Sequence, residues 1–296
     1  MKVALRHVTH LQYDAEVVEG VMDVRLGPLS DADQRWEGYE LSVSPLGTLR
    51  GYQDGFGNAA HLVTVGRPHT AIELVAEGQI ETLLDNPFQL PAYAPRPLTA
   101  AECFDYLRPS ALVQFSDETD AMAEPFRPTD PDLTFEAVGR LMNTVHDGFV
   151  YEQNVTTVAT TVAEVLAERA GVCQDFAHVL TALCRSIDVP ARYVSGYIVQ
   201  RVQTQSQTMG SMTQSQSFTE EEHVYRGIGA SHAWVEAWTP THGWRGFDAT
   251  NNLVASSHHV KMAIGRDYAD VAPTRGTFRG LAEERLSVEV HAHIIA

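Results

Sequence analysis

The stretch "RAGVCQDFAHVLTALCRSIDVPARYVSGY", Arg169 to Tyr197, sets Cys173 just after a Gly–Val step, at the head of an apolar run with helical spacing. The run predicts a helix from about Val172 to Ile187, and the β-branched "VPARYVSGYIVQ" after it predicts a strand. A cysteine that serves only packing can sit anywhere on an apolar face. One in the first turn of a helix sits where backbone N–H groups point outward and the dipole favours negative charge. That is the setting of a nucleophilic thiolate, provided a base is present to pair with it.

Upstream, "DLTFEAVGRLMNTVHDGF" repeats apolar residues at helical spacing (Phe135, Val138, Leu141, Met142, Val145), with Asp132 or Thr134 as the expected cap. In "TVAEVLAERAG", Thr161 and Glu164 form a capping box and Gly171 is expected to close the helix. Downstream, "SHAWVEAWT" and "GWRGFDAT" read as strands joined by "PTHG". Helices followed by an antiparallel meander give an α+β core.

The strands supply what Cys173 would need. His232 opens the first, sharing a face with Trp234 and Glu236, and Asp248 ends the second. A hairpin tip at about residues 240–243 brings Asp248 close to His232 on the adjoining strand, so a carboxylate can orient the imidazole without a long loop. Cys103 reads as an inert or packing thiol. Cys184 lies on nearly the face of Cys173 but about 16 Å further along the axis, at about 1.5 Å per residue, which is core spacing and too far for a disulfide. Trp234, Trp238 and Trp244 read as sheet-packing aromatics, with Trp234 the one placed to line a cleft. The pairs His258–His259 and His291–His293 have no carboxylate or cysteine at ligand spacing, so no metal or other cofactor is expected.

The rest of the chain frames this core. Residues 1–85 alternate with period two, as with Val3, Leu5, His7, Thr9, Leu11 and Tyr13, and "DGFGN" (54–58) is a turn; the region reads as a β-sandwich or small barrel. Residues 86–131 form a Pro-rich connecting segment with one helical turn near Ala100–Tyr106, residues 132–255 the core, and residues 256–296 an extension ending in the strand "LSVEVHAHI". The polar stretch 203–222 reads as a loop, either a lid beside the site or a tolerated insertion. A net charge of −17 opposes binding to nucleic acid, and no run approaches the roughly 18 apolar residues of a membrane span. With no apolar leader and three cysteines, the expectation is a cytoplasmic protein without a disulfide framework.

Taken together, "RAGVCQDFAHVLTALCRSIDVPARYVSGY", "SHAWVEAW" and "GWRGFDATNN" resemble the transglutaminase-like superfamily, in particular its bacterial branch. "RHVTHLQYD" and "DGFGN" are similar to that branch's β-rich N-terminal region, and "GRDYADVAPTRGTFRG" to its C-terminal extension. The resemblance implies a papain-like core with Cys173 as nucleophile, His232 as base and Asp248 as orienting acid. Ala249 stands where proline is usual, and no tryptophan lies between Trp36 and Trp234 to serve the oxyanion hole; the Cys173 N–H supplies one donor and the Tyr151 hydroxyl is a candidate second. The expected activity is attack on an amide through a thioester, with hydrolysis (peptidase, amidase or deamidase) favoured over amine transfer. Alternatives of other classes are a catalytically silent peptide-binding module and a metal-dependent protein built on the His-rich tail. The expected partner is a peptide or protein bearing amides.

Overall fold

A computed structural model describes residues 1–27, 29–199, 226–227 and 229–295; the 203–222 stretch lies outside the described residues. The chain opens with β1 (Lys2–Val17), β2 (Glu19–Val24), β3 (Gln34–Ser44), β4 (Thr48–Gln53), β5 (Ala59–Val65) and β6 (His69–Thr82). The helical part carries α1 (Ala100–Leu107), α2 (Asp117–Ala123), α3 (Thr134–Gly148), β7 (Val150–Tyr151), α4 (Val162–Glu168), β8 (Ala170–Gly171) and α5 (Cys173–Ser186). Then come β9 (Ala191–Ile198), β10 (His232–Thr239), β11 (Gly243–Asp248), β12 (Leu253–Val254), β13 (His259–Gly265), α6 (Tyr268–Val271), β14 (Thr274–Arg279) and β15 (Glu284–Ile294).

Two four-stranded sheets, ordered β15-β1-β6-β3 and β14-β2-β5-β4, face each other as a sandwich. The period-two face of β1 is buried from Val3 through Tyr13, and Leu11, Tyr13, Met22, Val24, Val63, Ile72 and Leu74 pack between the sheets. The sandwich is not confined to the N-terminal residues. β14 pairs with β2 and β15 with β1, so the C-terminal extension completes both of its sheets.

The second layer is the antiparallel sheet β12-β11-β10-β9-β13, with the helices on one face. Its edge strand β13 comes from beyond residue 255, so the core runs further along the chain than composition suggested. Ala233, Val235 and Ala237 face the helices, whereas Trp234 packs with Leu29, Ala255 and Ile264 toward the sandwich. Helix α5 is enclosed almost all round: every residue from Gln174 to Arg185 is buried, and its buried polar residues Asp175, His178, Thr181 and Arg185 are each hydrogen-bonded.

Local details differ from the sequence reading at helix ends. The Thr161–Glu164 capping box opens α4, but Arg169, in the left-handed region (φ 52°), ends it. Gly171 instead pairs with Tyr151 across β7 and β8, where a Cβ would lie 2.5 Å from the Asp175 carboxylate. Neither Asp132 nor Thr134 caps α3, because a short 3-10 turn precedes it and Asp130 accepts the Asp132 N–H. The Pro-rich segment holds two helices, each opened by a capping box, at Thr99–Glu102 and at Ser116–Thr119. Among the described residues, no helix is long and apolar enough to cross a membrane.

Sandwich and core sheet are joined by an apolar cluster and by side-chain amides. Val3, Leu5, Ile80 and Val290 pack against Tyr197, Val199, Val260 and Met262. Asn58 donates to the Ile264 carbonyl (2.8 Å) and accepts its N–H (2.8 Å). Gln34 does the same for Lys261, at 2.6 Å and 2.8 Å. A carboxamide carries one acceptor and one donor side, so each imitates a neighbouring strand and blocks the β13 edge.

Candidate active site

Cys173 is the first residue of α5, half-buried and packed against the helix-side core. At this position its N–H and that of Gln174 have no intrahelical acceptor, so both can serve a developing oxyanion. The turn is fixed from below by Asp175, whose Oδ2 accepts the Val172 N–H (2.8 Å) and the Thr156 hydroxyl (2.6 Å). Asp175 is fully buried and its Oδ1 has no partner; burial raises its pKa.

His232 and Asp248 come together as the hairpin register requires. Val235 pairs with Phe247 and Thr239 with Gly243, and His232 Nε2 lies 2.8 Å from Asp248 Oδ2. A carboxylate only accepts, so Nε2 carries the proton. Nδ1 is buried without a hydrogen-bond partner among the described residues, and Cys173 lies within electrostatic reach of the imidazole and favours its charged form. Burial opposes charge on His232, but the Asp248 carboxylate outweighs it and holds the imidazole pKa up to about 10. The same pairing, against burial, keeps the Asp248 carboxyl far below the usual carboxylate range.

Asn251, Arg226, Gly227 and Tyr193, which the sequence reading did not single out, join Tyr151 and Trp234 around the pair. Asp248 Oδ1 accepts the N–H groups of Thr250 (3.0 Å) and Asn251 (3.2 Å), and Oδ2 accepts Asn251 Nδ2–H (2.8 Å). An Asp followed two and three residues later by such amides is a turn signal that the motif "FDATNN" already carried. Asn251 also holds the returning chain: its Oδ1 accepts the Arg226 N–H (2.8 Å) and its Nδ2 donates to the Arg226 carbonyl (3.2 Å). The Arg226 guanidinium lies 4.7 Å from the Tyr151 ring centre, and Gly227, at φ +94°, leaves room beside His232 Nδ1 that a Cβ would close to 2.6 Å. Tyr151 and Tyr193 both lie within electrostatic reach of Cys173, and burial raises the pKa of each phenol. Trp234 stacks on His232 at 6.2 Å between centroids, making it part of the site as well as of the sheet packing.

The remaining candidates stand elsewhere. Cys184 is fully buried in the core, and burial pushes its thiol up to about 12. His7 is a satisfied core residue, with Nδ1 at 2.6 Å from the Tyr197 hydroxyl and Nε2 at 2.9 Å from that of Thr9. His258 Nδ1 donates to the Val199 carbonyl (2.9 Å), and His291 and His293 lie on β15 opposite Arg6 and Ala4. Among the described residues, no group of three His, Cys, Asp or Glu side chains is arranged to hold a metal ion. A concavity of about 610 Å³ lies on the sandwich around Arg6, Gly38, Gln79, His291 and His293, and none of Cys173, His232 and Asp248 lines it.

Comparison with known proteins covers both halves of this architecture. Residues 120–249 match the family model of the Transglutaminase-like superfamily, and residues 3–81 that of the Bacterial transglutaminase-like N-terminal region. Uncharacterized proteins of Mycobacterium tuberculosis and Mycobacterium bovis are 29% identical over 290 residues, covering 91% of this chain and 85% of theirs. One from Mycobacterium leprae is 26% identical over 288 residues, covering 96% and 95%. Among solved structures, a candidate cysteine protease from Cytophaga hutchinsonii aligns with a TM-score of 0.73 at 23% identity, covering 100% of this chain and 92% of that one. At that identity the likeness is one of fold.

Proposed function

We propose, for a chain that belongs to the transglutaminase-like superfamily, that it is a cysteine enzyme cleaving amide bonds through a thioester. Cys173 is the nucleophile, His232 the proton carrier and Asp248 the group that orients it. The observation that carries this reading is the buried His232–Asp248 hydrogen bond of 2.8 Å, which leaves Nδ1 uncommitted, with Cys173 within electrostatic reach of the imidazole. In the first half-reaction the Cys173 sulfur attacks the carbonyl carbon while the helix-start N–H groups receive the negative oxygen. The imidazolium gives its Nδ1 proton to the departing nitrogen, the C–N bond breaks, and ammonia or an amine leaves. In the second, water attacks the thioester, His232 takes one of its protons, and the C–S bond breaks to release the carboxylic acid and restore the Cys173 thiolate beside the imidazolium.

Hydrolysis is favoured over transfer to an amine, because water is abundant and transfer needs a site that admits the amine while excluding water. The substrate class is a peptide or protein amide, at the side chain or along the backbone. Incubating a cell lysate with the protein and a labelled primary amine distinguishes the outcomes by mass spectrometry. Cleaved chains or carboxamides converted to acids are expected; incorporated amine would instead assign transfer. Cys173→Ala should abolish either reaction with little change in thermal stability, since the half-exposed thiol contributes little burial. Turnover that survives Cys173→Ala would reject the reading.

A further inference from the structure

We propose that His259 is a positioning residue of this site, holding in place the carboxylate that His232 uses. The inference rests on the cysteine-enzyme reading above. His259 opens β13, and its Nε2 lies 3.3 Å from Asp248 Oδ2. Its other nitrogen, Nδ1, faces the Ser256 N–H at 3.4 Å. A peptide N–H can only donate, so Nδ1 accepts and the ring proton sits on Nε2, aimed at the carboxylate. His259 thereby satisfies both ring nitrogens as a neutral imidazole.

The placement gives this contact leverage. Asp248 Oδ2 receives three side-chain donors, from His232, Asn251 and His259, while Oδ1 is held by two peptide N–H groups. His259 is the donor among these that comes from β13, the far edge strand of the sheet, so it references the carboxylate to a separate part of the scaffold. Trp234 contacts both imidazoles, stacked on His232 and edge-on to His259 at 5.1 Å and 77°. Gly196 makes that possible, because a Cβ there would come within 2.6 Å of the indole.

Burial, aided by the neighbouring imidazoles and opposed by Asp248, favours the neutral form of His259. Asp248 faces it from β11, His232 from β10, and His258 neighbours it on the chain; Lys261 and Glu236, paired at 2.9 Å, and Asp33 line the same small pocket as Trp234 and His259. With His232 charged, a second imidazolium would set two cations against one carboxylate. Burial holds the His259 pKa below its ordinary 6.5 in spite of Asp248. His259 therefore orients Asp248 without competing for its charge.

Alkylation of Cys173 by iodoacetamide, followed by peptide mass spectrometry from acid to alkaline pH, tests this without a known substrate. His259→Phe should slow alkylation near neutral pH about tenfold and displace the pH profile, as loss of a buried donor to a charged group would. His259→Gln keeps a donor of similar reach and should restore the rate to within about threefold of wild type. Histidine-labelled NMR of the wild-type protein should show His259 protonated on Nε2, a readout that survives if His259→Phe does not fold. A His259→Phe variant with the wild-type rate and profile, a Gln variant no better than Phe, or a proton on Nδ1 would overturn the proposal. His232→Ala serves as the reference: if it leaves alkylation of Cys173 unchanged, the cysteine-enzyme reading fails, and the His259 tautomer is judged separately.

Discussion

Asp248 governs the behaviour of His232. Burial alone would push the imidazole below its ordinary 6.5, yet the carboxylate holds it up to about 10. A raised folded-state pKa contributes stability that is complete below about 6.5 and lost as pH rises through about 10. The alkaline limb of activity should therefore fall near pH 10, and stability should decline over the same span. Asp248→Asn leaves only Cys173 to oppose burial, so NMR titration should find the His232 pKa far below about 10, with turnover reduced at least about a hundredfold. An unmoved His232 pKa would show that the carboxylate is not its main partner. Cys173, His232 and Asp248 could be singled out in the sequence because each sits at the end of an element whose pattern is strong. His259 could not, because its partner lies across the sheet, and a bare "HH" suggested at most a metal pair.

Elements meet through contacts that local patterns do not encode. "DGFGN" is legible as a turn, and Asp54 does close it, its Oδ1 accepting the Phe56 and Asn58 N–H groups at 2.9 Å. That Asn58 then serves as a surrogate strand for Ile264 depends on a contact 206 residues away. Asn58→Ala should remove two buried hydrogen bonds and leave the Ile264 peptide groups unpaired, a cost of about 2–5 kcal/mol. Urea unfolding should show a lower midpoint with an unchanged slope. A loss under about 0.5 kcal/mol would mean that the β13 edge finds other partners. The helix ends show the converse limit. The Thr161–Glu164 box was readable from spacing alone, whereas the role of Gly171 was set by the Asp175 carboxylate packed against it.

Across the whole molecule, charge is buried where the two layers meet. Glu236 on β10 pairs with Lys261 at 2.9 Å and with Arg192 at 2.6 Å, while Asp31 and Asp33 reach Lys261 from the sandwich side. Burial disfavours the Glu236 carboxylate, but the two cations lower its pKa from 4.5 to about 2. A depressed carboxyl contributes stability present above about 4.5 and lost as pH falls through about 2, on the order of 3 kcal/mol. Acid unfolding should steepen in that window, and Glu236→Gln should flatten it. The chain's return to its starting layer was the least legible feature: "LSVEVHAHI" announced a strand but not its neighbour, which is set by pairing such as Val3 with Ile294 and Thr9 with Val288. Because β1 both receives β15 and presses Val3 and Leu5 against Tyr197 and Val260, the C-terminal strand supports the core sheet through the sandwich. Ending the chain at Glu283 removes Val290 from that shared cluster and bares the β1 edge, a ready template for association with another chain. The loss should consume a large share of the roughly 5–15 kcal/mol by which a folded domain is stable. Circular dichroism should show a strongly lowered melting temperature, gel filtration should show aggregates, and alkylation of Cys173 should change from its rate in the full chain. A truncated chain that melts as wild type and keeps that reactivity would show instead that the core stands without the strand closing the sandwich.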